Sequence, residues 1–262
     1  ASLRPCLPKP GWAAGPAGRG SQCEETRGQW LFDLGNTRLK YAPLQQAAAG
    51  PVAVWAHQDQ QRPLPDPEQL PGGEVAWLAS VADMALREQL RERLLQRFAR
   101  VELAVSTAGC GRLRSGYAQP DKLGVDRFLA LLACADTPRD CLLVGVGTAL
   151  TVDLLAGDGQ HHGGLIAPSP TSMRQAIHAK ARHLPVEGGH IVDFADNTLD
   201  ALASGSLAAA LGLIQRSRER ASVRLGRMPE LVIHGGGAGP LLPYLLDARH
   251  VPTLVLDGLA RW

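Results

Sequence analysis

A short polar turn between two apolar segments carries the residue types in this chain that are best suited to chemistry. The sequence is LFDLGNTRLKY at 31–41, with Asp33 ahead of the turn and Lys40 behind it. Gly35 allows backbone N–H groups to approach an anion closely, and the Asn36 side chain adds a donor. A carboxylate here could hold Mg²⁺, and a lysine could neutralise phosphate charge. The pattern indicates a phosphate-binding loop, and the alternative for Asp33 is an aspartate that only caps the turn.

A second glycine turn lies between two more apolar segments, CLLVGVG and ALTVDLL, at 141–147 and 149–155. This segment repeats the strand-turn-strand pattern of residues 31–41. The repeat predicts two related halves that each contribute a strand-turn-strand to a shared cleft, where a nucleotide's phosphates could be held from both sides. Two unrelated hairpins are the alternative. The turns align at a constant offset of 112 positions, which sets these residues opposite each other: Asp33 and Gly145, Gly35 and Gly147, Asn36 and Thr148.

A third candidate is the stretch YAQPDKLGVDRFLALLACAD at 117–136. Gly124 and the apolar run after it predict a helix whose N-terminus holds Asp126 and Arg127, where the dipole and free N–H groups favour anions. Asp126 could act as a general base for a substrate hydroxyl, and Arg127 could bind a substrate or phosphate anion. The alternative for Asp126 is a charge that only stabilises the helix N-terminus.

Strands that alternate with helices must position these residues, which predicts an α/β fold. Asp83 is the predicted N-cap of a helix with leucines at 86, 90 and 94 and Phe98, one every four residues. Two further helices are predicted near 171–183 and 199–222. The predicted strands are 30–35, 37–44, 51–57, 74–80, 101–107, 141–147, 149–155, 163–169, 231–234 and 253–258.

The chain is predicted to contain an N-terminal extension and two halves. Residues 1–28 are rich in proline and glycine without a hydrophobic period, which predicts disorder. The N-terminal half is expected over 29–138 and the C-terminal half over 139–262.

Composition narrows the class of protein. A formal charge of +2 with scattered basic residues argues against a nucleic-acid or membrane surface. The five cysteines form no CxxC pair or zinc-site spacing, which favours free thiols in a reducing compartment. We expect a cytoplasmic protein with small-molecule partners. His161 and His162 are expected to be solvated at a glycine-rich hairpin tip rather than to bind a metal.

Several motifs, taken in order, resemble those of the type III pantothenate kinases, which include the Bvg accessory factor proteins. They are DLGNTRLK, a tyrosine at 117 seven residues before GVDR, VGTALTVD, GGLIAP, and NTLDALASG at 197–205. The resemblance covers about residues 30 to 258. It implies the fold of the acetate and sugar kinase, Hsp70 and actin superfamily, with two actin-like (ribonuclease H-like) halves and a nucleotide cleft between them.

The resemblance also implies roles for individual residues. Asp126 would be the catalytic base, and Asp33 would hold Mg²⁺ directly or through water. The implied pantothenate-binding residues are Tyr117, Gly124, Val125, Asp126, Arg127 and Thr198. The implied ATP-binding residues are Asp33, Leu34, Gly35, Asn36, Thr37, Arg38, Leu39, Lys40 and Thr148.

The implied activity is ATP-dependent phosphorylation of pantothenate to 4′-phosphopantothenate, the first step of coenzyme A biosynthesis, by a homodimer. Two rivals remain: a phosphatase of the same superfamily, in which water replaces the hydroxyl, and a nucleotide-binding accessory or regulatory protein. Two positions depart from the family pattern. Gly145 stands where the usual monovalent-cation ligand is an aspartate, which puts that cation site in doubt, and Ser169 follows Pro168 where a glycine is frequent.

Overall fold

The structure, a computed structural model, describes residues 28–57 and 64–262. The chain separates into two compact units, one that runs to Asp136 and adds Thr253–Trp262, and one over Thr137–Pro252. The last ten residues therefore belong to the first unit, whereas 139–262 was expected to form the second half. The predicted disordered extension, 1–28, lies outside the described residues except for Gly28.

The first unit is built on a mixed sheet with α1 packed against it. The elements of this unit before its last ten residues are β1 (Gln29–Leu34), β2 (Arg38–Gln45), β3 (Ala48–Ala49), β4 (Ala53–Ala56), β5 (Gly73–Ser80), α1 (Met84–Leu95), β6 (Phe98–Leu103), β7 (Gly109–Cys110), β8 (Leu113–Arg114) and α2 (Val125–Ala135). The strands of the sheet lie in the order β3-β2-β1-β5-β6, with β4 also paired to β2. Asp83 accepts a hydrogen bond from the Leu86 N–H at 2.9 Å and caps α1 as predicted.

The second unit has a five-stranded sheet whose core is completed by a long helix. The elements of this unit are β9 (Cys141–Val146), β10 (Ala149–Leu155), β11 (His161–Pro168), α3 (Pro170–Lys180), α4 (Thr198–Leu225), β12 (Glu230–His234) and β13 (Arg249–His250). The strand order is β11-β10-β9-β12-β13, and α4 places Leu207, Ala210 and Ile214 against the apolar face of the sheet.

The two sheets have the same arrangement around their glycine turns. In each, the strand that enters the turn is antiparallel to the strand that leaves it and parallel to a later strand: β1 with β2 and β5, and β9 with β10 and β12. This common topology supports the repeat that was inferred from the offset of the two turns.

The predicted last strand at 253–258 is wrong, because Leu254–Arg261 is a helix, α5. Leu254, Val255, Leu256 and Leu259 are buried in it. A short apolar run is compatible with a buried strand or a buried helix, and periodicity does not separate the two. Close packing decides here: α5 crosses α2 so tightly that a Cβ on Gly258 would lie 1.9 Å from the carbonyl oxygen of Leu129.

The expected solvation of the two histidines is wrong for His161. Its side chain is fully buried on β11, and its Nε2 lies 2.9 Å from Oδ1 of Asp153 on β10, which is also buried. The carboxylate and the imidazole each supply the polar partner that the other needs away from water. His162 is partly buried, and this burial lowers its pKa.

Cysteines and α4 bear on the expected location. Of the described cysteines, Cys134 and Cys141 are buried and form no disulfide, whereas Cys110 is disulfide-bonded, so the expectation of free thiols fails at that position. Over residues 28–57 and 64–262, one helix, α4, is long and apolar enough to cross a membrane by length and composition alone. Core helices of soluble proteins meet the same criterion.

Candidate active site

The first glycine turn is a β-hairpin whose two faces differ in chemistry. Asp33 on β1 is the cross-strand partner of Lys40 on β2, and the next pair, Leu34 with Leu39, is fully buried. Since successive residues of a strand point to opposite faces, the leucines fix the hairpin in the core and the charged pair lies on the other face. Gly35 closes the turn by donating its N–H to the carbonyl oxygen of Arg38 at 3.0 Å.

Electrostatics single out Asp33. Burial raises the pKa of its carboxyl group from 3.8 to about 7, the charge of Lys40 lowers it, and the negative charge of Asp126 raises it. A carboxylate that is costly to ionise in this position gains strongly from a bound cation, because positive charge restores the ionised form. A carboxylate oxygen is also the type of ligand that Mg²⁺ prefers, so the chemistry of Asp33 is compatible with one ligand to this ion.

The start of α2 brings the third motif to the same unit. Gly124 is the N-cap, and Oδ1 of Asp126 accepts a hydrogen bond from the Arg127 backbone N–H at 2.8 Å. A Cβ on Gly124 would lie 2.8 Å from the same Oδ1. A side chain at position 124 would therefore displace the carboxylate of Asp126 from this position.

Tyr117 and Arg127, which the family resemblance assigned to the same substrate site, are in direct contact. Arg127 donates from Nη1 to the Tyr117 hydroxyl at 2.8 Å, and its Cζ lies 5.5 Å from the ring centroid. The arginine is only 5 % exposed. The phenol and the burial together fix the position of the guanidinium, whose planar set of donors is of the type that binds carboxylate and phosphate groups.

The second glycine turn lies in the second unit and is supported from α3. Gly147 donates its N–H to the carbonyl oxygen of Ala149 at 2.9 Å, and Thr148 is exposed. The Ser172 hydroxyl donates to the carbonyl oxygen of Thr148 at 2.6 Å. Ser169, where the family pattern frequently has glycine, is the N-cap of α3 and accepts from the Ser172 N–H at 3.3 Å.

A glycine-rich loop after β12 packs against the backbone just before this turn. Gly237 donates its N–H to the carbonyl oxygen of Val146 at 2.9 Å. Gly235 has φ +95°, and a Cβ there would lie 2.3 Å from the same oxygen. The sequence of this loop, GGGAG at 235–239, lacks the spacing of the dinucleotide-binding pattern, and its glycines allow the close backbone approach.

Thr198 is the first residue of α4 and is exposed. The preceding Asn197 caps the helix by accepting from the Asp200 N–H at 3.0 Å. A hydrogen bond from Asn197 lowers the pKa of Asp200. The local geometry presents the Thr198 hydroxyl at a helix N-terminus, a position that favours anions.

The predicted site residues are thus divided between the units. The first unit holds residues 33–40, Tyr117 and 124–127, with Asp33 and Asp126 close enough to interact electrostatically. The second unit holds Thr148 and Thr198. Ser172 and His234, which were not predicted, lie beside the second glycine turn, and neither stands in a motif that would have drawn attention to it.

Comparison with known proteins decides the family. The sequence model of the type III pantothenate kinases matches residues 30–220. The chain belongs to this family. Type III pantothenate kinase from Stenotrophomonas maltophilia strain K279a is 53 % identical over 233 residues, which cover 89 % of this chain and 96 % of the relative. The Xanthomonas axonopodis pv. citri enzyme is 52 % identical over 235 residues, with the same coverage.

Solved structures agree on the fold. A protein described as a Baf family transcriptional activator from Campylobacter jejuni aligns over 88 % of this chain and 94 % of its own, with a TM-score of 0.58 at 19 % identity. A protein named as a 2-dehydro-3-deoxygalactonokinase from Sinorhizobium meliloti aligns over 88 % of this chain and 97 % of its own, with a TM-score of 0.52 at 12 % identity. The sequence match thus shows the family of this enzyme, and the solved structures share its α/β fold.

Proposed function

We propose that this enzyme transfers the γ-phosphoryl group of ATP to the primary hydroxyl of pantothenate, giving 4′-phosphopantothenate in the first step of coenzyme A biosynthesis. The observation that carries the proposal is the cross-strand pairing of Asp33 with Lys40 on the first hairpin, with Asp126 near enough for its charge to act on Asp33. Asp33, with Lys40 beside it, is suited to binding phosphate and a metal ion. Asp126 is suited to accepting a proton. The match of residues 30–220 to the family supports the same assignment.

ATP is proposed to bind through residues 33–40 and Thr148. Asp33 would hold Mg²⁺ directly or through water, and the ion would neutralise charge on the transferred group. Lys40, the cross-strand partner of Asp33, would contact phosphate oxygens from the other strand of the hairpin. Backbone N–H groups of the glycine turn would supply further hydrogen-bond donors to the phosphates, so that no additional side chain has to be buried there.

Pantothenate is proposed to bind at Tyr117, residues 124–127 and Thr198. The buried Arg127 would pair with the substrate carboxylate, with Tyr117 holding its guanidinium in place. Asp126 would accept the proton of the hydroxyl as the oxygen attacks the γ-phosphorus. The new O–P bond would form while the bond from the γ-phosphorus to the bridging oxygen breaks, with ADP as the leaving group.

Several exposed apolar side chains in the second unit support a homodimer. Leu165 and Ile166 are 50 % and 65 % exposed on β11, an edge strand, and Phe194 is 99 % exposed in the segment before α4. Exposed apolar groups of this size favour association with another surface. We place the dimer in the cytoplasm, with no nucleic-acid or membrane partner.

A coupled assay of ADP release, with and without pantothenate, tests the proposal against its two rivals. Release that depends on pantothenate and yields a phosphorylated product supports the kinase. Release without pantothenate would identify a phosphatase, and nucleotide binding without any release would identify an accessory protein. The Asp126→Asn variant is the control for turnover at this site.

A further inference from the structure

Gly145 lies at the centre of the second sheet, between two larger polar residues. It is on β9, in register with Thr151 on β10 and with His234 on β12. Residues paired in register project their side chains to the same face of a sheet. The side chains of Thr151 and His234 therefore converge over the face where Gly145 has none.

The space above Gly145 is filled. A Cβ at this position would lie 2.6 Å from Oγ1 of Thr151 and 3.0 Å from Nε2 of His234. The nearest imidazole carbon, Cε1, would be 3.2 Å away. Even an alanine would have to displace one of these groups, and an aspartate would displace both.

His234 is held next to the second glycine turn by the loop that follows it. Gly235 and Gly237 pack against the carbonyl oxygen of Val146, which is adjacent to Gly147. Gly145 is two residues before Gly147, and two residues of a strand span about 7 Å. The imidazole thus lies at the base of the loop that presents Thr148.

Asp153, the next carboxylate on this face of β10, is engaged by His161 at 2.9 Å. The residues here do not fit the monovalent-cation site that the family resemblance implies. Such ions are held by several oxygen ligands, and a neutral glycine beside an imidazole nitrogen supplies no anionic one.

We infer that His234 is a positioning residue for nucleotide binding, and that its imidazole takes the place of an aspartate with its monovalent cation at the base of the second glycine turn. This inference rests on the proposed use of ATP. On this inference the imidazole of His234, rather than a bound ion, supports the second glycine turn. Nucleotide affinity then does not depend on K⁺.

The test measures binding of Mg²⁺ with the non-hydrolysable analogue AMP-PNP by calorimetry, without pantothenate. Titrations in potassium, sodium and tetramethylammonium chloride at constant ionic strength separate specific binding from screening. We expect Kd values that agree within about twofold in the three salts. Affinity that is tenfold or more higher in K⁺ overturns the inference.

The His234→Ala variant tests the ring itself. We expect binding at least tenfold weaker in every salt, restored by free imidazole, because rescue requires a vacated site that acts through the ring. Wild-type affinity, or a loss that imidazole does not restore, overturns the inference. His250→Ala, an exposed histidine on β13 of the same sheet, is the matched control and should bind as the wild type does.

A double variant tests whether an aspartate with K⁺ can replace the imidazole of His234. Gly145→Asp with His234→Ala provides a carboxylate and removes the imidazole, so that only the Thr151 hydroxyl has to turn away, and we expect it to bind AMP-PNP tenfold or more tightly in K⁺ than in tetramethylammonium. A folded double variant without this preference overturns the inference, and if it does not fold the imidazole experiment decides. AMP-PNP binding is measured without pantothenate. Absence of pantothenate-dependent ADP release in the wild-type protein would therefore contradict the proposed function and leave this inference standing.

Discussion

The carboxyl group of Asp33, on the first β-hairpin, lies within electrostatic reach of the carboxyl group of Asp126, at the start of α2. The charge of Asp126 adds to burial in raising the pKa of Asp33, while Lys40 opposes both. Two carboxylates in one site with different surroundings are suited to different tasks. Asp33 has the lysine and the glycine turn, whereas Asp126 has the helix N-terminus.

The Asp33→Asn variant should be more stable than the wild type at pH 8 in the absence of nucleotide and metal. The folded protein keeps the Asp33 proton up to pH of about 7, whereas the unfolded chain releases it near 3.8. Between these values the folded state binds more protons, so the wild type loses stability as pH rises through this window. Asparagine removes that loss, and we expect the melting temperature of the variant to exceed that of the wild type by several degrees at pH 8.

Thermal melts at pH 5 and pH 8 provide the check, with the exposed Asp121→Asn as the matched control. The difference between Asp33→Asn and wild type should be larger at pH 8 than at pH 5. An equal difference at both values would mean that Asp33 does not titrate in this window. With Mg²⁺ and ATP added, the order should reverse, because only the carboxylate binds the ion.

The Asp126→Asn variant should lose most turnover and still bind ATP. The amide keeps the shape of the side chain but cannot accept the proton of the attacking hydroxyl, and removal of a general base costs about 100-fold to 10,000-fold. Turnover in the coupled assay and AMP-PNP binding by calorimetry are the two measurements. Asp136→Asn, at the other end of α2, is the control and should keep its turnover. Near wild-type turnover in Asp126→Asn would reduce Asp126 to a helix-start charge.

Tyr117→Phe should raise KM for pantothenate about tenfold and change kcat much less. The hydroxyl that accepts from Arg127 at 2.8 Å is removed, and a buried guanidinium then lacks a partner on that side. Steady-state kinetics with varied pantothenate separate the two constants. Tyr244→Phe, half exposed in the second unit, should leave both unchanged. If kcat of Tyr117→Phe fell and KM did not, the contact would serve the reaction rather than substrate binding.

The elements around both glycine turns could be predicted because local chemistry and pattern agree there. Apolar strands flank each glycine turn, and the offset of the two turns predicted two related halves, whose sheets have the same arrangement around the turns. The helix after Asp83 was equally accessible, since its cap and its four-residue period are both local signals, but the period was extended too far: the helix ends at Leu95, and Phe98 begins β6.

Other features depend on contacts between distant segments, which a single sequence does not reveal. The burial of His161 depends on Asp153 across a β-bulge. The arrangement over Gly145 depends on His234, 89 positions away, arriving in register on a parallel strand. Sequence reasoning recognised Gly145 as a departure from the family pattern but gave no account of what replaces the missing side chain.

The helix α5 was mistaken for a strand for the same reason, and its close contact with α2 gives a last prediction. Gly258→Ala should lower the melting temperature of the protein, because the added Cβ would lie 1.9 Å from the backbone oxygen of Leu129, a group that cannot rotate away. Overpacking of this kind typically costs about 1–3 kcal/mol. Gly212→Ala in α4 is the matched control: its Cβ meets nothing within 4 Å, and alanine is favoured over glycine in a helix by about 0.5–1 kcal/mol. Thermal unfolding of the two variants should therefore shift in opposite directions. A Gly258→Ala protein that melts at or above the wild-type temperature would contradict this packing of the C-terminal helix onto the first unit.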